Sequence, residues 1–381
     1  MTKLQSRVLT GVFLVMIFGC TGASLLKRDT SFSEKENRIL AQMPELNLKD
    51  ILSGTFEKNY ETYLSDQFFW RDGWIGVKTK AERAEGKTEI KDVYFAKDGY
   101  LIEKHSGSFD TDTAKNNITY LGNFLKSQEQ KVGAGHVKAM IVPNAVEILK
   151  DKLPSYAVAD EEGAYLNHIR AQIPKELLFD AEPILDAHKE EQIYYKTDHH
   201  WKTLAARYVY EAWAESIDLP IVPLSEYREE TLTTDFHGTI DAKVNINVPG
   251  DSIESYQPVT EIPYTLTYNH SEERTSLYDT SYLEGRDKYA VFFGGNQPLI
   301  EAKTEAKTDR SLLIIKDSYA NCFLSFAMQD FSQIDIVDLR YFNENLGDYM
   351  KDKDYTDICV LYNAAGFAED SSVAKLALAT D

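Results

Sequence analysis

The chain has 381 residues, and its 61 acidic residues outnumber its 41 basic residues to give a formal net charge of −20. With 43% hydrophobic and 12% aromatic residues it has the composition of a folded globular protein, not of a disordered or collagen-like chain. So acidic a chain repels phosphate backbones and carries no compensating basic run, which argues against nucleic-acid binding, and three cysteines without C-x-x-C spacing argue against a disulfide framework or a zinc site.

The first 28 residues have the pattern of an exported segment. Lys3 and Arg7 precede an uncharged stretch, Val8 to Leu26, that Lys27 and Arg28 close. At about 1.5 Å rise per residue this stretch reaches roughly 28 Å, close to the hydrocarbon thickness of a bilayer. The flanking cations favour export over a buried core helix. We expect residues 1–28 to be an uncleaved membrane anchor, with a cleaved signal or lipidation at Cys20 as alternatives, and the rest of the chain to be extracytoplasmic.

Residues 29–91 predict a helical N-terminal extension, because aromatic residues recur in it near helical spacing. These are Phe56, Tyr60, Tyr63, Phe68, Phe69 and Trp70. Such a stripe is most simply explained by packing in a core. After it, Lys97-Asp98-Gly99 separates two short apolar runs, a spacing that indicates a β-hairpin. We place the start of the main domain there, over residues 92–381.

The main domain alternates apolar runs with helical periodicity, which predicts an α/β fold with a parallel sheet flanked by helices. The predicted strands are residues 137–142, 177–179, 192–195, 289–293, 311–315, 334–337 and 358–362, and the predicted helices are residues 111–130, 164–172, 203–214 and 321–328. Residues 220–282 are rich in turns, Thr and Tyr without a clear period. We interpret them as an insertion or a small β subdomain.

Polar residues follow four of the apolar runs, where ligands gather in open α/β sheets. They are Asn144, Asp198 with His200, Asn296 and Ser318. A serine becomes a nucleophile when an imidazole takes its proton and a carboxylate orients that imidazole. In an extended segment Asp198 and His200 face the same side, which favours His200 over His199 as the base. Backbone N–H groups at the helix start after Ser318 could stabilise an oxyanion.

Each of these residues also has a structural explanation. Ser318 and Asp198 could cap the helices that follow them, and Asn296 after two glycines could be a turn residue. Asp198, His199 and His200 could instead bind a metal ion, since both residue types are common ligands. The remaining histidines are scattered singly, so we expect neither a metal nor a cofactor.

The segments Thr197-Asp198-His199-His200-Trp201 and Lys316-Asp317-Ser318-Tyr319 resemble the DHHW protein family, named for its Asp-His-His-Trp motif. Shorter supporting pieces are residues 32–38, 66–68 with Arg71, 292–296 and 361–363. The family is similar in turn to the SGNH-hydrolase-like domains of alginate O-acetyltransferases, which carry Asp-x-His-Trp and a later serine in a Ser-Tyr context. This implies an SGNH-hydrolase-like fold with Asp198 as orienting acid, His200 as base and Ser318 as nucleophile. Oxyanion candidates are Asn296 and Asn144, and substrate-binding candidates are His199, Trp201 and Tyr319.

The resemblance further implies an extracytoplasmic O-acyltransferase that modifies hydroxyls of an exopolysaccharide or cell-wall glycan, with acetyl as the expected group. The implied partners are a multi-spanning membrane-bound O-acyltransferase that exports the acyl group, a polysaccharide acceptor and, through the N-terminal anchor, the membrane. Lys316-Asp317 departs from the alginate enzymes, which have small or uncharged residues there. A carbohydrate esterase with the same triad and a non-catalytic scaffold that binds polymer or a partner remain the alternatives.

Overall fold

A computed structural model describes residues 2–33, 38–158, 160–246 and 248–380. The chain divides into two compact units, residues 1–90 with 242–247 and residues 91–241 with 248–381. Residues 34–37, part of a segment that supports the family resemblance, lie outside the described residues.

The first unit begins with a long apolar helix, α1 (Lys3–Leu26), none of whose residues is buried. By length and composition it is the one helix among the described residues that could cross a membrane. Three further helices and three short strands follow it among the described residues. The elements are β1 (Phe32–Ser33), β2 (Arg38–Ile39), α2 (Leu48–Ser53), α3 (Thr55–Gln67), α4 (Arg71–Ala84) and β3 (Glu89–Ile90).

The second unit alternates strands and helices along most of its length. Its strands are β4 (Val93–Phe95), β5 (Leu101–Glu103), β6 (Val137–Val142), β7 (Tyr227–Phe236), β8 (Asp251–Pro258), β9 (Tyr264–Tyr268), β10 (Glu272–Arg274), β11 (Leu299–Thr304), β12 (Ser311–Lys316), β13 (Gln333–Val337) and β14 (Asp357–Asn363). Its helices are α5 (Asp112–Val132), α6 (Ala145–Ile148), α7 (Asp160–Gln172), α8 (Glu182–Ala187), α9 (Thr203–Glu215), α11 (Ala320–Ala327), α12 (Leu346–Met350) and α13 (Ala364–Glu369), and α10 (Thr239–Val244) crosses from this unit into the first.

The central sheet of the second unit has the order β10-β9-β11-β13-β12-β14-β6. The strands β13, β12, β14 and β6 are parallel, as predicted, whereas β11, β9 and β10 extend the sheet with antiparallel pairs. The sheet is therefore mixed. The segment that we interpreted as an insertion supplies β9 and β10 to this sheet, and its other two strands, β7 and β8, pair as a separate antiparallel ribbon.

Both faces of the parallel strands are covered, which explains why their sequences are continuous apolar runs. In β12, Leu312 and Ile314 belong to a core that includes residues of α9 and α11. Their neighbours Leu313 and Ile315 belong to a second core on the opposite face, with residues of α5 and α13. This two-sided packing holds the carboxyl end of β12, where Ser318 follows, in a fixed position.

Three predicted strands are wrong. Residues 177–179 begin at the last residue of a 3₁₀ helix (Lys175–Leu177), and only Leu178 makes an isolated parallel bridge, to Ala139. Residues Lys288–Val291 form a 3₁₀ helix instead of a strand, because Phe293 and the two glycines after it have positive φ and turn the chain at once. Residues 192–195 form only an isolated bridge, between Tyr194 and Trp201, which closes a tight loop. A short apolar run does not distinguish a strand from another buried segment.

Candidate active site

Ser318 lies between the end of β12 and the start of α11, and its side chain meets an imidazole. Its Oγ is 2.8 Å from Nε2 of His200. The turn that carries it is held by Asp317, whose Oδ1 accepts a hydrogen bond of 2.8 Å from the backbone N–H of Tyr319. No group among the described residues accepts a hydrogen bond from the Ser318 backbone N–H. That N–H is therefore a donor that a bound anionic oxygen could use.

His200 is oriented by Asp198 inside the loop that the Tyr194–Trp201 bridge closes. Asp198 Oδ1 is 2.5 Å from His200 Nδ1 and also accepts a 3.0 Å hydrogen bond from the His200 backbone N–H. Asp198 Oδ2 accepts hydrogen bonds from the backbone N–H and the hydroxyl of Thr239, at 2.9 and 3.1 Å. Gly238 permits this approach, because a Cβ there would lie 2.2 Å from Cβ of Asp198.

Burial and the neighbouring groups together set the charge states of Asp198 and His200. Asp198 and His200 are 3% and 6% exposed. Burial, with a contribution from His199, lowers the pKa of His200 to about 4 although Asp198 opposes the shift, so the imidazole is neutral at neutral pH and can accept a proton. Burial would raise the pKa of Asp198, but His199, His200 and the Thr239 N–H hold it well below its usual range. The carboxylate therefore stays ionised.

Tyr289 supports the imidazole from the side, a contact that the sequence did not indicate. Its ring stacks on that of His200 with centroids 3.8 Å apart and an interplanar angle of 17°. Its hydroxyl donates to the carbonyl of Ser318 at 3.2 Å. Tyr289 thus fixes both the base and the backbone of the serine. The sequence predicts a strand for residues 289–293, and no motif marks Tyr289 or Thr239.

A buried cation holds Asn296, the first oxyanion candidate. Nζ of Lys316 donates to Oδ1 of Asn296 at 3.1 Å and to Oδ1 of Asn321 at 2.8 Å, and it lies 3.6 Å from Asp338. Burial lowers the pKa of Lys316, and Asp338 opposes that shift. Because Asn296 is held through its oxygen, its amide nitrogen is left with no acceptor among the described residues.

Asn144, the second oxyanion candidate, has its amide group fully engaged. Its Nδ2 donates to the Tyr319 hydroxyl and to Oδ1 of Asn363, both at 3.1 Å. Its Oδ1 accepts a 3.0 Å hydrogen bond from the backbone N–H of Ala365. The residue is 2% exposed. This arrangement leaves no hydrogen of its amide for an oxyanion.

The expectation that Trp201 and Tyr319 contact substrate does not fit their complete burial. The Trp201 indole N–H donates to the carbonyl of Tyr319 at 2.9 Å, and the Tyr319 hydroxyl donates to the carbonyl of His199 at 2.5 Å. They tie the Asp198–His200 loop to the serine turn. His199 is partly exposed, and its Nδ1 lies 2.9 Å from the Thr239 hydroxyl. In a fully extended segment the His199 ring would point away from the His200 ring. In this tight loop the two rings are instead only 3.9 Å apart.

Asp198, His199 and His200 also satisfy the distance requirement for a metal site, with ligand atoms within 4.8 Å of one another. The donors are poorly arranged for a cation, because both ring nitrogens of His200 are engaged by Asp198 and Ser318. The remaining oxygen of Asp198 is engaged by Thr239. The arrangement favours proton transfer along the chain of hydrogen bonds over metal ligation.

The DHHW protein family matches residues 126–337, more than half of the chain. This chain belongs to the DHHW family. A DHHW family protein of Eubacterium siraeum is similar in structure with a TM-score of 0.60, at 28% identity over 73% of this chain and 92% of that one. The predicted family is confirmed.

Two further solved structures are similar to this chain. Bacillus cereus PatB1 with a sulfonyl adduct has a TM-score of 0.59 at 19% identity, over 74% of this chain and 99% of PatB1, and thus shares the fold of this DHHW protein. The O-acetyltransferase domain of Pseudomonas putida AlgJ overlaps less well, with a TM-score of 0.46 at 12% identity over 73% and 92% of the two chains. A search of curated protein sequences finds no match.

Proposed function

We propose that this DHHW protein is an extracytoplasmic O-acyltransferase that carries an acyl group, acetyl in the first instance, on Ser318. The observation that carries the proposal is the unbroken line of hydrogen bonds from Asp198 through His200 to Ser318, with links of 2.5 and 2.8 Å. Such a line makes a serine hydroxyl nucleophilic at neutral pH.

In the first half-reaction, Oγ of Ser318 attacks the carbonyl carbon of the acyl donor while Nε2 of His200 takes the hydroxyl proton. Asp198 stabilises the imidazolium that forms. The Ser318 backbone N–H and the Asn296 amide are the groups that would stabilise the oxyanion. Collapse of the tetrahedral intermediate expels the donor's leaving group, which receives the proton from His200, and leaves an ester on Ser318.

In the second half-reaction, His200 takes a proton from an acceptor hydroxyl, which attacks the Ser318 ester. The intermediate releases the acylated acceptor, and the proton on His200 returns to Ser318 Oγ. We propose a hydroxyl of an exopolysaccharide or cell-wall glycan as acceptor. A multi-spanning membrane-bound O-acyltransferase would supply the acyl group, and α1 would anchor the chain beside it, with the main domain outside the cytoplasm.

The test is incubation of the full chain with 4-nitrophenyl acetate and a panel of neutral and anionic oligosaccharides, followed by mass spectrometry. An acetylated sugar supports transfer, whereas free acetate alone reassigns the same triad to a carbohydrate esterase. Because PatB1 carries a sulfonyl adduct, a sulfonyl fluoride is a suitable second reagent. We expect it to modify Ser318. Failure of both reagents to modify the wild-type chain would favour the non-catalytic scaffold.

A further inference from the structure

Three consecutive aromatic residues lie exposed between α3 and α4 in the first unit. Phe68, Phe69 and Trp70 are 37%, 43% and 59% exposed. We call these three residues the aromatic tip. A core stripe, the simplest explanation of this aromatic segment from sequence, does not account for them. A contiguous apolar patch of this kind on a folded surface is typical of a contact with a partner or a membrane.

The aromatic tip is bound to the end of the apolar helix. The backbone N–H of Phe69 donates a 2.9 Å hydrogen bond to Oγ of Ser24, which lies in the last turn of α1. Just before the tip, the Gln67 side chain accepts from the Thr30 N–H at 3.0 Å and donates to the Thr30 carbonyl at 2.9 Å. Both contacts hold the tip at the level where α1 ends, one turn or less from Lys27.

The Trp70 indole is held in place although most of it is exposed. Trp70 has φ 53, a left-handed conformation that is strained for a bulky residue. Its ring lies directly over Gly73, where a Cβ would come within 2.1 Å of the indole, and it makes an edge contact with the Trp74 ring at 5.7 Å. Strained backbone of this kind clusters at functional sites, so together with the exposed ring it points to a role for Trp70.

We propose that the aromatic tip inserts into the headgroup region of the leaflet from which the C-terminal end of α1 emerges. This proposal rests on the proposed anchoring of the chain by α1. A helix end flanked by Lys27 and Arg28 lies at the membrane–water interface, where tryptophan and other aromatic side chains are enriched. Residues within hydrogen-bond distance of Ser24 lie at the same depth. A lipid surface is therefore the occupant that meets them there.

Lipid contact can be tested by fluorescence, because the chain has only four tryptophans. The full chain is reconstituted in vesicles of phosphatidylcholine and phosphatidylglycerol, part of whose acyl chains are brominated close to the headgroup. We expect bromolipids to quench the wild-type emission and Trp70→Phe to lose most of that quenching. Trp201 and Trp213 are buried and provide a constant background. Trp74→Phe is the matched control and should retain most of the quenching.

A second variant keeps all four tryptophans and displaces one. Gly73→Ala places a methyl group where the Trp70 indole lies, so the quenching should decrease as it does in Trp70→Phe. Near-ultraviolet circular dichroism of each variant establishes that the main domain is folded.

The proposal would be overturned if bromolipids quenched wild type and Trp70→Phe equally while the intact mass of both chains showed that α1 is present. So would protection of Trp70 from bromolipid and from soluble acrylamide together, which would indicate a protein partner on the tip. A chain recovered without α1 would overturn the anchoring on which the proposal rests. None of these results affects the acylation of Ser318, which is measured separately with the same preparation.

Discussion

The carboxyl ends of two parallel strands in the main domain carry polar residues that look equivalent in the sequence. At the end of β12, the Ser318 hydroxyl has an imidazole nitrogen 2.8 Å away. At the end of β6, Asn144 is hydrogen-bonded through both the nitrogen and the oxygen of its amide, to Tyr319, Asn363 and Ala365. Position at a strand end thus does not distinguish a reactive group from a structural one. What distinguishes them is whether the neighbouring groups transfer protons or only satisfy hydrogen bonds.

Ser318→Ala should have the largest effect on chemistry of any change at these strand ends. We expect acyl transfer and sulfonyl labelling to disappear, because the nucleophile is deleted, while the free energy of unfolding changes by less than about 1 kcal/mol. Stopped-flow release of 4-nitrophenol and a urea titration measure the two quantities. Unchanged turnover in this variant would refute the assignment of Ser318.

Asp198→Asn should lower acylation by about 10³–10⁴-fold, because an amide cannot stabilise the imidazolium and can favour the wrong tautomer of His200. His199 provides a matched control, since it adjoins the same carboxylate without contacting Ser318. We expect His199→Gln to retain activity within about tenfold. If instead the His199 variant were the more damaged of the two, His199 would be the base.

The three residues of the proposed triad could be singled out from sequence because each member adjoins a recognisable pattern. Ser318 follows a continuous apolar run, and Asp198 and His200 precede the clear helical ladder of α9. Tyr289 and Thr239 could not be found, because no motif marks either residue and both reach the site only through tertiary packing. The sheet shows the same limit. Its parallel strands are apolar on both faces and were predicted. In β11 apolar and charged residues alternate, and this strand was not predicted.

Asn296→Ala should lower the acylation rate by about 10²-fold if its amide donates to the oxyanion. Lys316→Met removes the buried cation that holds the Asn296 oxygen and should lower the rate in the same direction, with little further loss in the double variant. Single-turnover release of 4-nitrophenol from 4-nitrophenyl acetate measures both. Independent, additive losses would mean that Lys316 does not act through Asn296.

Acidity should affect the rate only well below neutral pH, because the pKa of His200 is lowered to about 4. The neutral imidazole is the base, so the labelling rate should be flat from about pH 8 to 5 and fall about tenfold per unit below pH 4. An ordinary histidine would already lose activity between pH 7 and 5. Between the folded value and the unfolded value of 6.5, the unfolded chain binds more protons, so stability should fall as the pH falls through that window.

Asn144→Ala should have the smallest effect on chemistry and a clear effect on stability. It leaves the buried N–H of Ala365 without an acceptor, a loss of about 1–3 kcal/mol. The Tyr319 hydroxyl keeps its hydrogen bond to the His199 carbonyl, so the loop that carries His200 remains joined to the serine turn. The rate per folded molecule should therefore stay within about tenfold of wild type. A rate loss of several orders of magnitude at unchanged stability would instead make Asn144 an oxyanion donor, and the two strand ends would then be equivalent in function as well as in sequence.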